Sequence, residues 1–204
     1  FALGGGSWSK TGSDGMWTSI FEEKGINIIS FQSSNCAYEI KWKNDFLTKT
    51  EGKFLKNISI TCDDKTKPGE LVITKFGIEG GAIYALSPQI RNQLNKKGNS
   101  TVFIDLKPSL TIEEVKSKFS ERGNRSITKL LEDKLNFTDI HTDLLKTVLT
   151  KEEFTDPETL IDRIKKLPLQ ITSMGKLDEA ISSVGGIALT ELDENFQLKK
   201  LQNN

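Results

Sequence analysis

Leu167-Pro-Leu-Gln-Ile-Thr172 decides the fold, because it is a strand-like run that arrives directly after a run of helices. From Ser109 to Lys166 the apolar residues recur at helical spacing. Thr111-x-x-Glu114 is a capping box opening a helix with Ile112, Val115 and Phe119 on one face. Ile127, Leu130, Leu131 and Leu135 form a second stripe, and Leu144, Leu145, Val148 and Leu149 a third. Asp156-Pro157 combines a cap with proline at the first helical position, so a fourth helix carries Leu160, Ile161 and Ile164. Four helices are expected over 109–166, after which the chain returns to a sheet.

The residues before this run read as strands. Cys36, Tyr38, Ile40 and Trp42 alternate with Ala37, Glu39 and Lys41, a period of two with one apolar face. Ile58, Ile60 and Cys62 do the same against Asn57, Ser59 and Thr61. The polar run Asp63 to Glu70, with Pro68-Gly69 inside it, reads as a hairpin turn into Leu71-Val-Ile-Thr74. A helix from Ala82 to Lys97, re-capped or kinked at Ser87-Pro88, leads to a strand from Thr101 to Leu106. Nearer the start, Asp14 caps a short helix carrying Met16, Trp17, Ile20 and Phe21, stopped by Gly25. The expected class is therefore α+β: a small β-barrel or antiparallel β domain over 26–108, completed by 167–182, with an inserted helical subdomain at 109–166. Phe1-Ala2-Leu3 running into Gly4-Gly5-Gly6 reads as the end of a strand that begins elsewhere. Phe196-Gln-Leu-Lys-Lys-Leu201 alternates like another strand, and the whole reads as a fragment excised from a longer protein.

Composition narrows the function classes. Lys+Arg and Asp+Glu are both 28 in 204 residues, a balance that argues against coating nucleic acid or an acidic membrane. One histidine, His141, and two cysteines, Cys36 and Cys62, are too few for a zinc site of several His or Cys ligands, and metal ligation is not expected. They are also too few for a disulfide-dense secreted scaffold. No apolar stretch approaches the ~18 residues of a membrane span, so a cytoplasmic protein without membrane partners is expected.

The glycine clusters are the main candidates for a site. Gly4-Gly-Gly-Ser-Trp-Ser-Lys10-Thr11 nearly fits the phosphate loop G-x-x-x-x-G-K-[ST], but Ser9 stands where backbone wrapping needs glycine. Gly12 and Gly15 also interrupt the helix that should follow. The dinucleotide fingerprint is missing too, since Gly4-x-Gly6 is followed three residues on by Ser9. On local evidence a plain tight turn accounts for these residues better. Gly77-Ile-Glu-Gly-Gly-Ala-Ile83 before a helix and Ser183-Val-Gly-Gly-Ile187 are similarly turn-like. His141 has no obvious catalytic partner beside it and reads as a surface or partly buried histidine, and Cys36 and Cys62 sit on apolar strand faces as small hydrophobes. The acidic doublets such as Glu113-Glu114 lie at helix starts and turns. No catalytic constellation emerges.

Three segments taken together resemble a known family: Ala2-Leu-Gly-Gly-Gly-Ser-Trp-Ser-Lys-Thr-Gly-Ser-Asp-Gly15, Gly77-Ile-Glu-Gly-Gly-Ala-Ile-Tyr-Ala-Leu-Ser87 and Ala180-Ile-Ser-Ser-Val-Gly-Gly-Ile187. Their order, with Cys36, Leu106-Lys-Pro108 and Lys166-Leu-Pro168 between them, is similar to that of the BaiN/RdsA-type (YhiN-like) NAD(P)/FAD-dependent oxidoreductases. The likeness is specifically to the flavoprotein branch with a GIEGGxIYALS segment, and it covers essentially the whole chain. The resemblance implies a split FAD-binding domain with a long insert of β-barrel plus helices between its halves. Residues 1–25 and 183–204 would then be flanks of the FAD domain. Gly4, Gly5 and Gly6 would end a strand close to the cofactor, and Gly185 and Gly186 would mark the return. The family's N-terminal fingerprint and its C-terminal GEMLDWxAPTGGY segment are absent. FAD is therefore expected in the full-length parent, with this fragment neither holding it tightly nor turning over alone.

On that reading the chain is the insert or cap of an NAD(P)-linked flavin oxidoreductase, covering the flavin and shaping substrate access. Its partner is the rest of the parent chain, and its substrate a small molecule or RNA. The alternative from the residues is a β-barrel binding module for RNA or a protein, because Lys41-Trp42-Lys43 and Lys53-Phe54-Leu55-Lys56 interleave cations with aromatics.

Overall fold

The computed structural model describes residues 3–201. It divides into two compact units: residues up to Cys36 with those from Met174 onward, and Ala37–Ser173.

The larger unit is a mixture of helix and antiparallel sheet. Its strands are β2 (Tyr38–Glu39), β3 (Phe54–Cys62), β4 (Lys65–Ile73), β5 (Gly77–Glu79), β6 (Ser100–Asp105), β7 (Leu167–Ile171) and β8 (Ser173–Met174), following β1 (Ile28–Ser33) of the smaller unit. The sheet order is β7-β6-β3-β4-β5-β2-β8. Its first and last strands are thus successive stretches of one run of chain, parted only by Thr172, and the sheet curls into a barrel-like form. No closed ring of strands is recorded among the described residues. The sheet buries Leu55, Ile58, Ile60, Leu71, Ile73, Val102 and Ile104, each no more than 1% exposed.

Helices interrupt this sheet between β6 and β7: α5 (Ile112–Ser120), α6 (Ile127–Leu135), α7 (Asp139–Val148), α8 (Lys151–Thr155) and α9 (Pro157–Lys165). Five helices stand where four were expected. The additional one, α8, is opened by Thr150 and Glu153 in a capping box of the same form as that of Thr111 and Glu114. The apolar stripes read from the sequence are the buried faces: Val115, Leu130, Leu131, Leu135, Leu144, Leu145, Leu160, Ile161 and Ile164.

Three local expectations are corrected. The turn between β3 and β4 is Asp63-Asp64, with Asp63 in the left-handed region at φ 52°, and Pro68-Gly69 lies within β4. Pro68 is tolerated there because β5 pairs only with Val72 and Ile73, leaving the earlier part of β4 with a free side where no amide donor is needed. The alternation from Cys36 to Trp42 yields only two strand residues, since α2 (Asn44–Thr50) begins almost at once and buries Phe46. The helix expected from Ala82 to Lys97 is two, α3 (Gly81–Tyr84) and α4 (Ser87–Lys97), with Pro88 in the first turn of the second.

The smaller unit is built on α1 (Trp17–Glu23) and the two-stranded ladder of β1 (Ile28–Ser33) with β9 (Ser183–Ile187). Phe21, Ile26 and Leu198 are its buried cluster, flanked by the half-buried Leu3, Trp17, Ile28, Ile187 and Leu192. Ser183–Ile187, read as a glycine turn, is therefore a strand. Phe196–Leu201, read as a strand, instead makes one bridge, Leu198 to Leu192, and a 3-10 turn from Lys199. The strand end expected at Phe1-Ala2-Leu3 falls mostly outside the described residues, and Leu3 is not in a strand.

Candidate functional site

In the smaller unit, a cavity of about 360 Å³ is lined by Leu3, Gly4, Gly5, Trp17, Phe31 and the β9 glycines. Four of the five glycines singled out from the sequence (Gly4, Gly5, Gly185 and Gly186) thus share one cavity, although they lie about 180 positions apart in the chain. Gly6 lies behind it, its N–H donating to Ser183 Oγ at 3.0 Å.

Local rules explain the assembly. In β1, Ser30 and Phe31 stand opposite the single residue Gly185, between the pairs Ile29–Gly186 and Gln32–Val184. This is a bulge, and a bulge re-aims side chains; here Phe31 reaches the cavity. Trp17 from α1 packs edge-on to Phe31 at 5.9 Å and donates Nε1–H to the Gly4 carbonyl at 3.2 Å. A Cβ on Gly185, at φ 122°, would lie 2.7 Å from Ser30 O and 2.8 Å from Ile29 O. On Gly5 it would lie 2.1 Å from Ser183 Oγ, and on Gly186 3.4 Å from the Trp17 ring. The missing side chains are thus taken up by the protein's own close packing.

The cavity walls are aromatic, aliphatic and backbone, with the Ser183 hydroxyl beside them, and none of the lining residues is charged. Such walls suit a flat, largely apolar ring. They offer no cationic side chain to a pyrophosphate. The near-match to a phosphate loop points the same way: Ser9 N–H and Oγ–H both donate to Asp178 Oδ1, at 2.9 and 2.8 Å. The loop has supplied its own anion, and the Ser9 hydrogen bonds hold the Asp178 carboxyl below the usual carboxylate range. Ser9–Thr11 is a 3-10 turn with no long helix following it.

The remaining candidates are dispersed. Cys36 and Cys62 are buried and not joined in a disulfide, and burial pushes the Cys62 thiol up, away from reactivity. Trp42, one of the aromatics between lysines, donates Nε1–H to Gly77 O at 3.1 Å and packs on Phe46 at 4.9 Å. Phe54, the other, is half exposed with Lys56 Nζ 5.6 Å from its ring centre. No group of three or more His, Cys, Asp or Glu side chains is placed to hold a metal ion among the described residues. No helix there is long and apolar enough to cross a membrane.

A barrel-like antiparallel sheet with a run of helices spliced between two of its strands defines the class to which the larger unit belongs. The family model described as "HI0933-like protein barrel and H2TH domain" matches residues 32–182, which take in that whole unit. The chain belongs to this family, which is associated with FAD-binding flavoproteins.

Proposed function

We propose that this chain is the insert, with its flanks, of an FAD-dependent, NAD(P)-linked oxidoreductase. The single observation that carries the proposal is that the two ends of the larger unit lie side by side. Thr172 N–H donates to Glu39 O at 2.9 Å, and β8 pairs with β2. A body whose entry and exit are hydrogen-bonded neighbours can be spliced into a host domain without disturbing it. The host in this reading is a split FAD-binding domain, to which the smaller unit belongs.

Two features of the smaller unit support that assignment. Eight of the ten exposed large hydrophobic residues described lie in it: Trp8, Met16, Ile20, Ile29, Ile181, Val184, Leu189 and Phe196. Among the described residues its buried cluster is Phe21, Ile26 and Leu198. A unit with so little core and so much exposed apolar surface completes itself against more protein, and the rest of the parent chain is the proposed partner. In the parent, Gly4, Gly5, Gly185 and Gly186 with Trp17 and Phe31 form one wall of the flavin ring's pocket, while the phosphates are held by residues outside this chain. Flavin, when bound, supplies the hydride chemistry. The chain's own residues shape the pocket, exclude water and, through the insert, limit which substrate reaches it.

The test is to excise the insert. In the parent protein, residues 37–173 are replaced by a short glycine-serine linker. Flavin is expected to remain bound while substrate-dependent NAD(P)H oxidation is lost. Unchanged turnover would show that the insert takes no part in substrate access.

A further inference from the structure

The larger unit carries a second cavity, of about 510 Å³, where the sheet meets the helices. This cavity draws on residues of that unit alone and is independent of the flavin reading. Lys56 and Asn57 reach it from β3, Lys107 from the loop after β6, and Asn136, Phe137 and His141 from the link into α7. The backbone is shaped for the purpose at each approach. Lys56 and Asn57 oppose the single residue Glu70, between the pairs Leu55–Leu71 and Ile58–Gly69, a bulge that turns both toward the cavity. Asn57 and Asn136 are both left-handed, at φ 55° and 54°. The Lys107 loop is pinned from behind by Lys165, whose Nζ donates to Lys107 O at 2.9 Å and pairs with Asp105 Oδ2 at 2.7 Å.

The charged groups that line this cavity are of one sign. Its lining contains two lysines and no carboxylate, in a protein of zero net charge. Neither ammonium has an ion-pair partner among the described residues. His141 adds a donor. Thr138 N–H donates to its Nδ1 at 3.3 Å, so Nδ1 is the unprotonated nitrogen and Nε2 bears the hydrogen. Nε2–H has no protein acceptor among the described residues, and burial beside Lys107 favours this neutral ring. Phe137 stacks on the imidazole at 4.7 Å, and Ile58, Leu106 and Pro108 complete an apolar floor.

We infer that this cavity is a binding site for a small organic anion with a flat apolar body, of the aromatic carboxylate class. The anionic group sits with Lys107, Lys56 and His141 Nε2–H, and the ring lies over the apolar floor where Pro68 and Pro108 are exposed. The two unpaired ammonium groups and the unpaired imidazole donor then acquire the acceptors they lack.

The chain's single histidine makes the test direct, since histidine labelled with ¹⁵N in its ring reports only His141. Benzoate is titrated into the full chain, with benzamide as a neutral analogue of the same shape. A saturable shift of the Nε2 signal with benzoate and a much weaker one with benzamide are expected. Lys107→Gln and Lys56→Gln should each weaken the benzoate response, Lys107→Gln by roughly tenfold or more, as loss of a charge-assisted contact implies. An absent or non-saturating response to benzoate overturns the proposal. So does an equal response to benzamide, or benzoate binding unchanged in both lysine variants.

Discussion

Thr172 donates its backbone N–H to the carbonyl of Glu39 at 2.9 Å, and its hydroxyl reaches the same oxygen at 3.3 Å. The residue that leaves the sheet is therefore tied to one of the first that enters it. Ser173 extends the contact, its hydroxyl donating to Glu39 Oε2. Chain ends fixed together in this way cost a host domain little loop entropy, which is the physical requirement for an inserted domain.

Residues 37–173 produced alone should therefore fold. Their buried set spans both sheet and helices, from Leu55 to Ile171, and of the seven-stranded sheet only Met174, the second residue of β8, falls outside the segment. Circular dichroism on heating should show one cooperative transition. A broad, non-cooperative melt would mean that the flanks are needed to close the sheet.

Gly185→Ala should act on the other unit. The new Cβ would press on Ser30 O and Ile29 O in a backbone that L side chains rarely adopt. A loss of about 2–4 kcal/mol is expected in the smaller unit, read from unfolding monitored at Trp17 with Trp8 and Trp42 replaced by Phe. The transition of residues 37–173 should not move.

The legibility of the fold follows from which signals are local. The helices of 109–166 were readable because caps and apolar stripes are written within a few residues, as in Thr111-x-x-Glu114 and Asp156-Pro157. The α8 helix carried the same signal, Thr150-x-x-Glu153, but at five residues it has too few apolar positions to show a period. β9 was hidden because Gly185 and Gly186 have no strand propensity, and their place in a ladder comes from the close approach of β1. Pro68-Gly69 looked like a turn because the short reach of β5, which frees that side of β4, is a tertiary fact. Of the candidate site, the glycines were visible and their neighbours were not. Trp17 and Phe31 belong to it through an indole hydrogen bond and a bulge that leave no pattern in the sequence.

His141 should make stability depend on pH. Burial, then the charge of Lys107, lowers its pKa from 6.5 to about 4. The unfolded chain therefore binds a proton more readily than the folded one between these values. Stability is full above about pH 6.5 and falls as pH drops toward 4. The contribution is on the order of 2–3 kcal/mol. His141→Gln keeps an acceptor for the Thr138 N–H and should flatten the difference between urea midpoints at pH 6.5 and pH 4.5. A variant with the same slope as the parent would show that the ring protonates without cost.

Thr111→Ala removes the hydroxyl that accepts from Glu114 N–H at 3.2 Å. The cap of α5 should cost about 1 kcal/mol, measured as a lower urea midpoint with an unchanged slope. Thr111→Ser should restore most of it.

The central claim, that these residues flank and form the insert of a flavin domain, is tested most directly by visible absorbance. The chain is purified beside a version extended at both ends into the parent sequence. The account predicts the visible absorbance of bound flavin in the extended protein, and none in the chain alone. Flavin retained by the chain alone, or a colourless extended protein that takes up no added FAD, would contradict it.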